Sequence, residues 1–125
     1  MTDPRRKTGR SAEQICARRL SRRGWQILAR NWAIRAGELD LIARAGTTLV
    51  IVEVKSTHSG LRLGPTAPAL AVGPDKQRRI RRLAAAWLAT HGRKLVYRDV
   101  RFDVVGIRFD HDGEVAAYEH LEDAF

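Results

Sequence analysis

The tightest constraint on this chain is a pair of apolar runs joined by a short turn. They are Gly37-Glu38-Leu39-Asp40-Leu41-Ile42-Ala43 and Val50-Ile51-Val52-Glu53-Val54-Lys55, with Gly46-Thr47 between them. Runs rich in branched aliphatics favour strands, and a two-residue turn led by glycine suits the type II′ geometry of antiparallel hairpins. That turn sets the register, with Ala45 opposite Thr48 and, counting outward, Asp40 opposite Glu53. Because strand side chains alternate between faces, Glu38, Asp40 and Ile42 share a face with Ile51, Glu53 and Lys55. That face is apolar near the turn and charged away from it.

Two carboxylates directly across a hairpin repel one another unless a positive charge sits between them. A divalent cation, Lys55, or both would answer that charge. Mg²⁺ takes oxygen ligands, keeps several waters and uses one or two carboxylates together with substrate phosphates. A lysine two residues beyond the second acid can then point at the scissile phosphate or the attacking water, which suits phosphodiester hydrolysis. An exposed edge of mixed charge produces the same residues, and the pattern alone leaves both readings open.

With 125 residues, 44% of them hydrophobic, the chain is expected to form one globular domain with a real core. No apolar run approaches the length of a membrane span, and the basic Met1–Arg10 stretch lacks the apolar segment of a secretory signal, so a cytoplasmic location is expected. Cys16 is the single cysteine, which excludes an internal disulfide and leaves it as a small core residue. The net charge of +9 favours a polyanionic partner. Arginine and lysine crowd the first third of the chain and recur at Lys76, Arg78, Arg79, Arg81 and Arg82, whereas the stretch from Asp99 onward is acidic. Arginine contacts to phosphates give the sequence-independent affinity a nuclease or general nucleic-acid binder needs.

Residues 1–9 show no apolar periodicity and are expected to be disordered, with the domain proper over 10–125. Ser11 and Gln14 fit a capping box for a helix from Ala12 to Arg23, ended by Gly24. Ala12, Ile15, Cys16, Ala17 and Leu20 form its apolar stripe, and Arg18, Arg19, Arg22 and Arg23 face water or a partner. Glu13 borders that stripe. It is either an acid favoured by the helix dipole or a third carboxylate aimed at the hairpin. Trp25–Ile34 reads as a strand with an interruption near Asn31-Trp32. The breaker-rich stretch His58–Gly73, with Arg62 its one charge, reads as a loop beside the site. Pro74 opens a second helix over Asp75–Thr90 with Gly92 as its stop and Gln77, Ile80, Leu83, Ala84, Trp87 and Leu88 inward. There Lys76 leans toward the sheet while Arg78, Arg81 and Arg82 point outward. Strands follow over Leu95–Phe109 and Glu114–Leu121. His111 and His120 have no partners at metal-ligand spacing and read as structural or exposed. Helix, three strands, helix, two strands is the order of an α/β domain, a mixed sheet flanked by helices.

These blocks resemble the small bacterial YraN-like proteins, a group assigned to the PD-(D/E)XK nuclease superfamily and similar to archaeal Holliday-junction resolvases. The resemblance covers nearly the whole chain. It runs through Gly9–Glu13, Ala17 and Leu20; Gly24, Ile27-Leu28 and Arg30-Asn31; the two hairpin runs; Lys76 with Arg79; Arg101-Phe102-Asp103-Val104-Val105; and His120 to Phe125. It implies a restriction endonuclease-like core in which Asp40, Glu53 and the backbone carbonyl of Val54 hold Mg²⁺, with Mn²⁺ able to substitute. Lys55 would orient or activate water, and Glu13 would serve a second metal or position that water. The implied activity is endonucleolytic cleavage of DNA, leaving a 5′-phosphate and a 3′-hydroxyl, with branched or single-stranded substrates in view. Junction resolution would further imply a homodimer. Leu39 stands where the superfamily pattern has proline. The expected DNA contacts are Arg18, Arg22, Lys76, Arg78, Arg79 and Arg82. The rival expectation is a nucleic-acid-binding adaptor that keeps the fold around a weak or silent site.

Overall fold

The computed structural model describes residues 4–58 and 70–125, with side chains from residue 11 onward. Helix α1 spans Pro4–Arg22. Proline is pre-organised for a first helical turn, and the helix starts there instead of at Ala12, so Ser11 lies inside it and caps nothing. Residues 1–3 lie outside the described residues, and from Pro4 onward the segment expected to be disordered is helical. The other end is as expected. Gly24, at φ 90°, lets its N–H reach the Ser21 carbonyl at 3.0 Å and that of Trp25 reach Leu20 at 3.1 Å, a Schellman closure.

Strands β1 (Gln26–Ile34), β2 (Gly37–Ala45) and β3 (Thr48–His58) follow as an antiparallel meander. Helix α2 (Pro74–His91) then carries the chain across the sheet to β4 (Asp99–Phe109), which runs parallel to β3, and β5 (Val115–Leu121) closes the far edge. The sheet order is β1-β2-β3-β4-β5, a mixed α/β sheet in a single domain. Gly92 does not stop α2 in a left-handed conformation. It stays right-handed at φ −70°, and the chain tightens into a 3₁₀ turn over Gly92–Lys94 before β4 begins at Asp99. Of the expected loop, residues 59–69, including Arg62, lie outside the described residues.

Each face of the sheet buries one helix. Ala12, Cys16, Ala17 and Leu20 of α1 pack on Leu41, Val50, Val52, Val105 and Ile107. Ile80, Leu83, Ala84 and Trp87 of α2 pack on Ile42, Leu49, Ile51, Phe102 and Val104. The even spacing of β3 and β4 between these sets is the period-two alternation of a strand covered on both sides. Among the described residues no helix is long and apolar enough to cross a membrane. Gly106 of β4 is needed for space, since a Cβ there would lie 2.3 Å from Leu70 Cδ2. That contact seats Leu70 on the sheet next to Lys55, the Gly106 partner in β3.

Candidate metal and phosphate site

The hairpin register is the expected one from Ala45–Thr48 to Leu41–Val52. Gly46 at φ 61°, followed by a threonine of ordinary φ, fits the type II′ turn that sets it. Beyond Leu41 the two strands part company. Leu39 and Ile42 pack in the same layer although three residues of regular strand would put them on opposite faces, so the alternation of β2 breaks between them. The cause is Asp40. Its Oδ2 accepts a 2.9 Å hydrogen bond from the Val54 N–H, occupying a place a β2 backbone carbonyl would otherwise fill. In an extended strand the N–H and C=O of one residue point the same way, so the Val54 carbonyl also faces this gap.

Asp40 is therefore not a plain cross-strand neighbour of Glu53. It is buried in the gap, close to Glu13 of α1, and the two acids with Glu53 and Glu38 form one electrostatic cluster. Burial pushes the Asp40 carboxyl up to about 8, with the Glu53 charge adding to the effect and the Val54 N–H partly opposing it. Glu13 is raised too, mainly by burial. The Asn31 amide and Asp40 lie near enough to favour its charged form, yet its Oε2 is buried with no hydrogen-bond partner. Asn31 is a site neighbour the sequence reading passed over. It lies between Arg30, which pairs with Leu41, and Trp32, which pairs with Leu39, and so sits across from Asp40. Its left-handed backbone, φ 48°, was signalled only as a suspected interruption of the strand.

Glu53 turns to the other helix. Its Oε1 lies 2.6 Å from the Lys76 ammonium in the first turn of α2. The lean of Lys76 toward the sheet thus ends in an ion pair within the site. Lys55 donates to the Ala71 carbonyl at 2.7 Å, and burial followed by the nearby Lys76 charge holds its ammonium below the usual lysine range. Glu13 approaches from the α1 layer and Lys76 from the α2 layer, and Asp40, Glu53 and Lys55 lie on the strands between.

All the acidic groups here offer oxygen, the donor a hard divalent cation takes. The orphaned Glu13 Oε2 and the raised Asp40 carboxyl are both groups that a cation would satisfy, so the residues fit such an ion. Among the described residues, however, the trio whose ligand atoms all lie within 4.8 Å of one another is Asp103, His120 and Glu122. That trio is already neutralised. Arg101 grips both oxygens of the fully buried Asp103 at 2.8 Å, His120 Nε2 bonds it at 2.8 Å and the Asp123 N–H at 3.0 Å. Arg23 donates to His120 Nδ1, so Nε2 carries the proton that Asp103 accepts. The reading of His120 as structural agrees with this network, which ties the end of α1 to β4 and β5.

The outward cations of α2 have different partners. Arg78 pairs with Asp75, and Arg81, exposed as expected, lies over the Phe102 ring at 4.6 Å. Arg18, Arg22, Arg79 and Arg82 are exposed and, among the described residues, have no ion-pair partner. Arg18 and Arg22 stand on α1 and Arg79 and Arg82 on α2, with the sheet between them, so they make two surfaces and not one patch.

A mixed sheet between two helices, holding crowded carboxylates and two lysines where neighbouring strands separate, defines a small α/β protein with an acidic, lysine-edged site. Residues 12–107 match the uncharacterised protein family UPF0102, and the chain belongs to that family. It is 50% identical over 117 residues to a UPF0102 protein of Rhodococcus jostii (strain RHA1), covering 94% of each chain. It is 46% identical over 119 residues to one from Parafrankia sp. (strain EAN1pec), covering 95% of this chain and 96% of that one. A UPF0102 protein of Anaeromyxobacter dehalogenans (strain 2CP-C) is 43% identical over 123 residues, 98% of this chain and 87% of its own.

Proposed function

We propose that this protein is a divalent-metal-dependent endonuclease acting on DNA phosphodiester bonds, within a PD-(D/E)XK-like core. The observation that carries the reading is the burial of Asp40 in the strand gap beside Glu13, with Glu53 and Lys55 on the adjoining strand. Asp40, Glu53 and the Val54 carbonyl would hold Mg²⁺ or Mn²⁺, with Glu13 as a further oxygen donor. The ion supplies electrophilic stabilisation of charge on the phosphate and a more acidic water. The chain's own residues do the rest. Val54 N–H fixes one Asp40 oxygen and leaves the other to the site. Lys55, held by Ala71 at the margin of the site, offers positive charge to the phosphate and can orient the attacking water. Arg79 and Arg82 on one flank, and Arg18 and Arg22 on the other, offer phosphate contacts to a strand lying across the site. Branched or single-stranded DNA is the proposed substrate class, a homodimer the assembly that junction cutting would call for, and the cytoplasm the location.

The adaptor reading rests on one observation, the Glu53–Lys76 ion pair, which satisfies a proposed metal ligand internally. Asp40→Asn separates the two. An endonuclease loses Mn²⁺-supported cleavage of branched, single-stranded and plasmid DNA by about two orders of magnitude or more while keeping DNA affinity. An adaptor shows no Asp40-dependent cleavage on any of these substrates, with wild type and variant binding alike.

A further inference from the structure

We propose that Lys76 is a displaceable counterion of the site: it neutralises Glu53 in the free protein, yields that carboxylate to a divalent cation, and then contacts a substrate phosphate. The inference rests on the endonuclease reading and adds to it a residue with two successive partners. It starts from an asymmetry within the ion pair. The Glu53 side chain is 11% exposed and fixed on a central strand, whereas that of Lys76 is 47% exposed and reaches in from a helix end. When the pair opens, Lys76 is the member free to move.

Lys76 is also poorly placed on its own helix. It stands in the first turn of α2, where the helix dipole disfavours a cation, so Glu53 answers a charge the helix itself does not. The charge count on this side of the site carries the argument further. Lys55 and Lys76 lie close enough for the second to disfavour the charge of the first, and the two share Glu53 as their acidic neighbour. If a cation takes Glu53, the two ammonium groups lose the carboxylate they share. A phosphate is the anion that a metal-loaded phosphodiester site brings with it. The same stretch anchors both elements, since Lys55 donates to the Ala71 carbonyl and Gln77, next to Lys76, donates to that of Val72. Metal and phosphate should therefore bind better together than apart, with Lys76 linking them.

The test is Mn²⁺ titration by calorimetry on wild type, Lys76→Met, Lys76→Arg and Asp40→Ala, each with and without a phosphorothioate DNA duplex, after thermal melts show each variant folded. Without DNA, Lys76→Met is expected to bind Mn²⁺ about 5-fold more tightly than wild type, the lower range of ordinary coupling between sites for a half-exposed charge. The duplex is expected to tighten Mn²⁺ binding by wild type and Lys76→Arg and to add little to Lys76→Met, a pattern that a merely structural ion pair does not produce. Mn²⁺ binding that needs Asp40 but is indifferent to Lys76, with the same gain from DNA in every variant, overturns this inference and leaves the endonuclease reading standing. Absence of Asp40-dependent Mn²⁺ binding in every variant, with and without DNA, overturns both.

Discussion

The Asp40 carboxylate takes the hydrogen bond of the Val54 N–H at 2.9 Å, and so stands in for backbone where β2 and β3 separate. One acid thereby both ends the ladder and lies buried among other acids. The arrangement has a direct electrostatic consequence.

Asp40 binds its proton up to about pH 8 in the folded protein but only to about pH 3.8 when unfolded. Between these values the native state holds more protons, so stability falls as pH rises. At its steepest the slope from this group approaches about 1.4 kcal/mol per pH unit. Urea unfolding of the metal-free protein should show declining stability from pH 5 to pH 8, and Asp40→Asn, which cannot ionise, should flatten that decline. Mn²⁺ binding near pH 7 should release about one proton, seen as a dependence of the calorimetric enthalpy on buffer ionisation heat.

Asp103 titrates in the opposite sense. Burial works against its charge, but bonds from His120, Arg101 and the Asp123 N–H outweigh burial and hold the carboxyl below its usual value. Its contribution to stability is present above pH 4 and is lost as pH falls further. Asp103→Ala removes the buried acceptor that Arg101 and His120 share and leaves Arg101 only its longer, 3.7 Å contact with Glu122, which should cost about 3 kcal/mol in urea unfolding. Mn²⁺ affinity of the folded fraction should be unchanged, because Asp103 holds up the frame and does not belong to the Asp40 cluster.

Much of this was readable from periodicity and turn chemistry. Gly46-Thr47 predicted the β2–β3 register, Gly24 the end of α1, and the apolar spacing of α2 its inward face. The start of α1 was misread because Ser11 and Gln14 form a capping pattern that a helix already begun at Pro4 never uses. The site was legible as a set, Glu13 with Asp40, Glu53 and Lys55, but not in its geometry. Strict alternation places Asp40 flatly across from Glu53, and only a tertiary hydrogen bond to Val54 turns it toward α1. Lys76 pairs with Glu53, 23 residues away, and Asp103 with His120, 17 residues away, and no local pattern encodes these two pairings, whereas the Arg101–Asp103 pair is local to one face of β4. Charge clustering likewise named the arginines without showing that the sheet divides them.

Asn31 holds a left-handed backbone, φ 48°, across from Asp40 and beside Glu13. Asparagine tolerates that region, glycine enters it freely, and a β-branched residue is a genuine outlier there. Asn31→Gly should leave stability within about 0.5 kcal/mol of wild type, and Asn31→Val should cost roughly 1–3 kcal/mol. Both lose the amide beside Glu13, so a change in Mn²⁺ affinity common to the two reports on the side chain, whereas a difference in urea midpoint reports on the backbone.

Gly106 and Leu70 offer the sharpest test of how the chain returns to the sheet ahead of α2. A methyl group at Gly106 would meet Leu70 Cδ2 at 2.3 Å, while the glycine's own φ is unexceptional, so the conflict is steric and not conformational. Leu70 is buried, and its displacement would disturb the neighbouring Ala71 carbonyl that receives Lys55. Gly106→Ala is expected to cost about 1–3 kcal/mol, the usual penalty for overpacking. Leu70→Ala alone should cost about 2 kcal/mol or more through the cavity it leaves. In the double variant each change makes room for or fills in the other, so its loss should be clearly smaller than the sum of the two single losses. Urea unfolding of the four proteins completes the cycle, and strict additivity would show that Leu70 does not rest on Gly106.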